Sequence, residues 1–215
     1  MVNIKEVDEY MVNRLSTERY SSFDYCYNYF YDFYKEDRIE QLSNEKNLQN
    51  SCIQLGFYLA SWGMFRASSF MINKSAKHFE ELITEISHMD SSLWEFDVSN
   101  YNETNIEDII SCKKQIIIAL GSSNAKTWDT LTSKIMLGVF GNVPAFDTYF
   151  KNSSIGAKSF NEKSLHKIQE FYLSNRSDFE SLRISTLGFS GEKTDNKYTI
   201  AKLIDMYGFI DGQKK

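Results

Sequence analysis

The chain has 215 residues, of which 42% are hydrophobic and 25% charged. That is enough for one sizeable hydrophobic core and excludes a disordered chain. The formal net charge of −5 is unevenly spread: residues 1–110 hold 9 Lys+Arg against 19 Asp+Glu, and residues 111–215 hold 15 against 10. An acidic whole argues against indiscriminate nucleic-acid binding, while a basic C-terminal half can still attract the phosphates of DNA or RNA. The alternative is that each half simply solvates its own surface.

The N-terminus, MVNIKEVDEYMVNRL, carries Lys5, Glu6, Asp8 and Glu9 where a signal peptide needs an apolar run. Apolar runs such as IIIAL at 116–120 are far too short to cross a bilayer, so no membrane association is expected. Cys26, Cys52 and Cys112 are scattered and odd in number. This fits buried thiols in a reducing compartment and a cytoplasmic location rather than a disulfide framework.

One proline and ten glycines leave few of the turn markers that an all-β chain needs, so an all-α fold is expected. The reading is a single globular multi-helix domain over 1–215 of about eight to ten helices, which could divide into lobes at 1–121 and 122–215. FDYCYNYFYDFY fits a helix through Phe23, Tyr27, Phe30 and Tyr34, although Tyr25, Tyr27, Tyr29, Tyr31 and Phe33 also alternate as in a strand. Helical neighbours favour the helix. In NLQNSCIQLGFYLASW, Leu48, Cys52, Leu55, Leu59 and Trp62 lie on one helical face.

SAKHFEELITEIS repeats the pattern, with Ser75 as its N-cap. Thr104 and Glu107 have capping-box spacing at the head of TNIEDIISCKKQIIIALG, and Gly121 offers the left-handed turn that ends it. Ser159 and Glu162 repeat that spacing ahead of Leu165, Ile168 and Tyr172. YTIAKLIDMYG predicts a last helix closed by Gly208 and docked on the core. SSIGAKSF and FSGEKTDNK read as surface loops.

The three histidines, His78, His88 and His166, lack metal-ligand spacing, and neither a metal nor a cofactor is expected. QIIIALGSSNAKTW resembles a phosphate loop only in part: Ala125 stands where a glycine must precede Lys126, and Gly121 is one residue too close. A helix end followed by Ser123 as the N-cap of a new helix accounts for it. Arg66 with Ser68 and Ser69 could hold an anion, but fits a polar helix end as well.

The segment SKIMLGVFGNVPAFDTYF is richest in chemistry. Trp128, Leu131, Ile135 and Val139 give one buried helical face, Gly138 permits close approach of another chain segment, and Gly141 can end the helix before Pro144. Asp147 then falls where a carboxylate can cap the next short helix. The pattern of Ser133-Lys134, an apolar helix, a turn and Val-Pro-Ala-Phe-Asp-Thr-Tyr resembles the end of the catalytic core in helix-hairpin-helix DNA glycosylases, in particular the 8-oxoguanine DNA glycosylase-like bacterial branch.

The resemblance covers residues 133–150 and implies that Lys134 matches the lysine nucleophile and Asp147 the aspartate that supports charge at the anomeric carbon. WDTLT, ahead of Lys134, has no counterpart to the family's Gly-rich hairpin, and the lysine-to-aspartate interval is shorter. The implied function is recognition or metal-independent excision of a nucleic-acid base, with a degenerate, non-excising version as a variant. A lysine withdrawn from water becomes a better nucleophile, and aromatic side chains can stack an extruded base. Two alternatives stay open. Lys134 could snorkel to solvent with Asp147 acting only as a cap, or the aromatic helix from Phe23 to Tyr34 could form a protein-partner or homodimer surface.

Overall fold

The computed structural model describes residues 5–66, 69–121 and 128–215. Among these, ten α-helices and one short hairpin run in the order α1 (Lys5–Val12), α2 (Ser22–Lys35), α3 (Leu48–Ser61), α4 (Glu80–Ile86), α5 (Glu103–Ala119), α6 (Asp129–Val139), α7 (Thr148–Asn152), α8 (Glu162–Ser174), α9 (Arg176–Ser181), β1 (Ser185–Leu187), β2 (Lys193–Lys197) and α10 (Ile200–Gln213). Short 3-10 turns fill several connections. The mostly α architecture follows from the scarcity of turn residues and the helical spacing of the apolar ones. No helix among the described residues is long and apolar enough to cross a membrane.

Helix α2 forms as its 3.6-residue spacing requires, burying Phe23, Cys26, Tyr27, Phe30 and Phe33. The alternating Tyr25, Tyr29 and Tyr31 are left half-buried on its flank. Burying each large side chain contributes roughly 1.5–3 kcal/mol, which explains why the helical register wins over the strand-like alternation. Gly138 lets α6 press against this layer: a Cβ there would stand 2.5 Å from the Tyr58 ring and 3.3 Å from Cys26 Sγ. All three cysteines are free and buried.

Several helix starts differ from the sequence expectation. Helix α5 is capped by Asn102, whose side chain accepts from the Asn105 amide, so Thr104 lies within the first turn. Helix α8 is capped by Asn161, accepting from Ser164, rather than by Ser159. Asparagine is at least as good an N-cap as serine or threonine, which allows it to take the capping position at both helices. Ser75 precedes a 3-10 turn over Ala76–Phe79 and makes no capping bond, the α-helix starting only at Glu80. Gly121, at φ 77°, does close the α5 end. Ser68, Ser123 and Lys126 lie outside the described residues.

Gly208 does not end the last helix, which continues to Gln213. Its missing side chain instead admits the Phe150 ring, 2.5 Å from where a Cβ would stand. Helix α10 therefore packs along α7 and α1, and its residues 201–210 are all buried.

FSGEKTDNK is not a loop: Lys193–Lys197 form β2, paired antiparallel with β1. Neither strand shows apolar alternation because the hairpin rests on polar groups of α2. The Leu187 amide donates to Asp24 Oδ2 at 3.0 Å, and Asn28 Nδ2 donates to the Leu187 carbonyl at 2.9 Å. Asp24 is fully buried and also accepts from Arg14 Nε at 2.8 Å and the Tyr198 hydroxyl at 2.6 Å, which ties the α1–α2 connection to the hairpin and the chain entering α10.

Candidate functional site

Helix α6 and the turn after it deliver Lys134 and Asp147 to one place. Gly141, at φ 69°, takes the left-handed conformation that closes α6, and the chain turns back through Val143, Pro144 and Ala145. Two side chains then hold two successive amides of that turn: Asp205 Oδ1 accepts from Ala145 at 3.0 Å and Ser133 Oγ accepts from Phe146 at 2.8 Å, both buried. Thr130 Oγ1 donates to the Phe146 carbonyl at 2.7 Å. Asp147 emerges from this clamp at the N-cap of α7.

The carboxylate of Asp147 serves two partners. Its Oδ1 accepts from the Phe150 amide at 3.0 Å, capping α7 as the sequence predicts, while its Oδ2 lies 3.2 Å from Lys134 Nζ. The Lys134 side chain is 5% exposed and that of Asp147 16%. Lys134 thus does not snorkel to solvent. Burial extends round the whole of α6 from Leu131 to Val139, beyond the single apolar face read from the sequence, because helices pack on it from several sides.

A second lysine–aspartate pair, not anticipated from the sequence, borders the same space. Lys202 Nζ lies 2.9 Å from Asp205 Oδ2 and 3.0 Å from the Tyr10 hydroxyl, with its side chain 1% exposed. Trp62 sits over both cations, with Lys134 Nζ 5.0 Å and Lys202 Nζ 6.0 Å from its ring centroid, a cation–π arrangement that partly replaces lost hydration. Opposite charges at i, i+3 inside the otherwise apolar IAKLIDMYG were the signal available for Lys202 and Asp205. Trp62 read only as a core position of α3.

These residues, with Tyr58, Ala145 and Phe209, enclose a cavity of about 10 Å³. That is room for about one water molecule, so a planar ligand enters only if a ring of the wall moves. The Trp62 indole Nε1 is buried at this wall without a hydrogen-bond partner. Among the described residues no group of three or more His, Cys, Asp or Glu side chains could hold a metal ion.

A larger open groove of about 1230 Å³ runs elsewhere, between α2, α3 and the hairpin. Tyr25 and Tyr29 line it beside Phe57, 65% exposed, and Phe189, 88% exposed at the hairpin tip. The three lysines of another shallow depression, Lys113, Lys114 and Lys163, stand beside the start of α8, with Lys113 already paired to Asp129 at 2.7 Å.

No protein-family model, curated protein or solved structure matches this chain.

Proposed function

We propose that this protein recognises or excises a base of DNA or RNA by the chemistry of a DNA glycosylase, with Lys134 as nucleophile and Asp147 as the group that offsets positive charge. The observation that carries the reading is the buried amine of Lys134 set 3.2 Å from the Asp147 carboxylate under aromatic rings. Lysine is a nucleophile only without its proton, and the adjacent carboxylate is the nearest acceptor for it.

In the proposed reaction the neutral Nζ adds to the anomeric carbon as the bond to the base breaks; the base leaves with the bonding pair and takes the proton that Asp147 received from Lys134, which returns Asp147 to a carboxylate. Asp147 offsets the charge that develops on the sugar. The adduct nitrogen then gives a proton to Asp147, which passes it to the ring oxygen as that oxygen leaves with its bonding pair, and an iminium results. Entry of a base requires displacement of Trp62 or Phe209, since the closed cavity holds about 10 Å³. Extrusion of the base supplies a ring that can stack where the indole stood.

The test is borohydride trapping with abasic and damaged single- and double-stranded DNA. A covalent adduct mapped to Lys134 and lost in Lys134→Gln supports the reading, and the absence of an adduct across the panel removes it.

A second, non-catalytic reading is favoured by the open groove: exposed Phe57 and Phe189 beside half-buried Tyr25 and Tyr29 form an aromatic surface for a protein partner or a second copy of the chain. Sedimentation over a hundredfold concentration range checks the homodimer. A mass that stays at 25.0 kDa rules out self-association.

A further inference from the structure

We infer that Asp205, whose charge Lys202 balances, is a positioning residue for the Lys134–Asp147 pair, an inference that rests on the catalytic reading above only for its enzymatic consequence. Asp147 reaches Lys134 from a turn that has no regular secondary structure of its own between Gly141 and Asp147. The aim of its carboxylate depends on what holds the preceding amides.

Ser133, next to Lys134 in α6, holds the Phe146 amide, so one contact of the turn is referenced to the lysine's own helix. Asp205 holds the Ala145 amide from α10, 60 residues away, and refers the same turn to a second rigid element. Two successive amides fixed from two helices leave the following residue little freedom. Lys202 in turn fixes Asp205: its ammonium bonds Asp205 Oδ2 and Tyr10, while Asp205 Oδ1 is given to Ala145. A buried carboxylate without a partner for its second oxygen would carry a large desolvation cost, which the Lys202 contact offsets. The arrangement is a relay of position: Tyr10 to Lys202, to Asp205, to the Ala145 amide, to Asp147, to Lys134.

Two double variants isolate the decisive bond. Asp205→Asn with Lys202→Met keeps an oxygen acceptor for the Ala145 amide and leaves no stranded ammonium, whereas Asp205→Ala with Lys202→Met removes the acceptor as well. Reductive methylation with formaldehyde and cyanoborohydride, read by peptide mass spectrometry, reports how well Lys134 is held in its buried pair. Lys113 serves as the reference amine.

We expect Lys134 labelling in the Asn/Met protein within about twofold of the parent and at least tenfold higher in the Ala/Met protein, with Lys113 unchanged in both. Equal Lys134 labelling in the two variants, or a parallel rise at Lys113, overturns the inference, the latter because it marks general loosening. Should the Ala/Met protein fail to fold, Asp205→Ser with Lys202→Met, whose shorter serine side chain cannot span the same gap, takes its place under the same criteria. If labelling divides as expected while the parent forms no DNA adduct, the positioning role stands and the glycosylase reading falls. If the parent forms an adduct and both variants form it equally well, the positioning role falls instead.

Discussion

Asp147 gives one carboxylate oxygen to the Phe150 amide and turns the other toward Lys134 Nζ, 3.2 Å away. Capping and ion pairing, which the sequence poses as rival accounts of this residue, coexist on its two oxygens. The two can therefore be separated by substitution.

Asp147→Asn retains a good capping oxygen but loses the charge, while Asp147→Ala loses both. In urea unfolding, Asp147→Ala is expected to be less stable than Asp147→Asn by about 1 kcal/mol, the usual value of an N-cap. Both are expected to lose any borohydride-trappable adduct. Equal stability of the two variants would show that the cap contributes nothing.

Gly138→Ala is expected to destabilise the fold by about 1–3 kcal/mol, because the added methyl overlaps the buried Tyr58 ring at 2.5 Å. Gly121→Ala is the control for glycine loss without crowding: among the described residues nothing beyond its chain neighbours lies within 4 Å of its Cβ position, so its cost comes from the φ of 77°. Thermal unfolding compares the two, and a Gly138→Ala protein as stable as the parent contradicts the close packing of α6 on α3.

Asp97, whose carboxylate accepts from the Ile200 and Ala201 amides at 2.7 and 2.8 Å at the start of α10, contributes a pH dependence of stability near neutrality. Burial raises its pKa from 3.8 to about 6, outweighing those hydrogen bonds, and burial raises Asp24 as well, against the pull of Arg14. A carboxyl raised on folding binds protons more tightly in the native state, so its contribution is full below the unfolded value and lost as pH climbs through the folded one. Asp97 by itself should add about 1 kcal/mol of stability between pH 7 and pH 5. Asp90, Glu180 and Asp211 are shifted down and act in the opposite sense at more acidic pH, and His78, lowered from 6.5 by burial, opposes Asp97 within this window. Denaturant midpoints of the parent and Asp97→Asn across this range check the assignment, the variant showing a flatter profile.

Burial pushes the thiols of Cys26, Cys52 and Cys112 up, away from the reactive thiolate. Native protein at pH 8 is expected to react with a chromogenic disulfide reagent at less than about a tenth of the rate of free cysteine, and to titrate three thiols only after unfolding. Rapid reaction of one thiol in the folded protein would contradict the packing around it.

Local sequence patterns determined a good deal. The helical spacing of Phe23, Tyr27 and Phe30, the left-handed closures at Gly121 and Gly141 and the cap at Asp147 all depend on residues within a few positions of one another, and all appear in the fold. Competition among neighbouring Asn, Ser and Thr residues moved two helix starts to Asn102 and Asn161, where each local pattern allowed more than one cap.

What lies beyond a single segment had to come from tertiary structure. Gly208 stops a helix by local rules, yet α10 runs through it because Phe150 fills the missing side chain's space. The hairpin carries no apolar alternation because Asp24 and Asn28, more than 150 residues away, satisfy its backbone. Lys134 and Asp147 could be named from one short stretch, but their burial, the second pair from α10 and the Trp62 ring above them arise from elements distant in sequence. Desolvation and hydrogen-bond geometry are properties of the assembled environment, and no window of adjacent residues contains them.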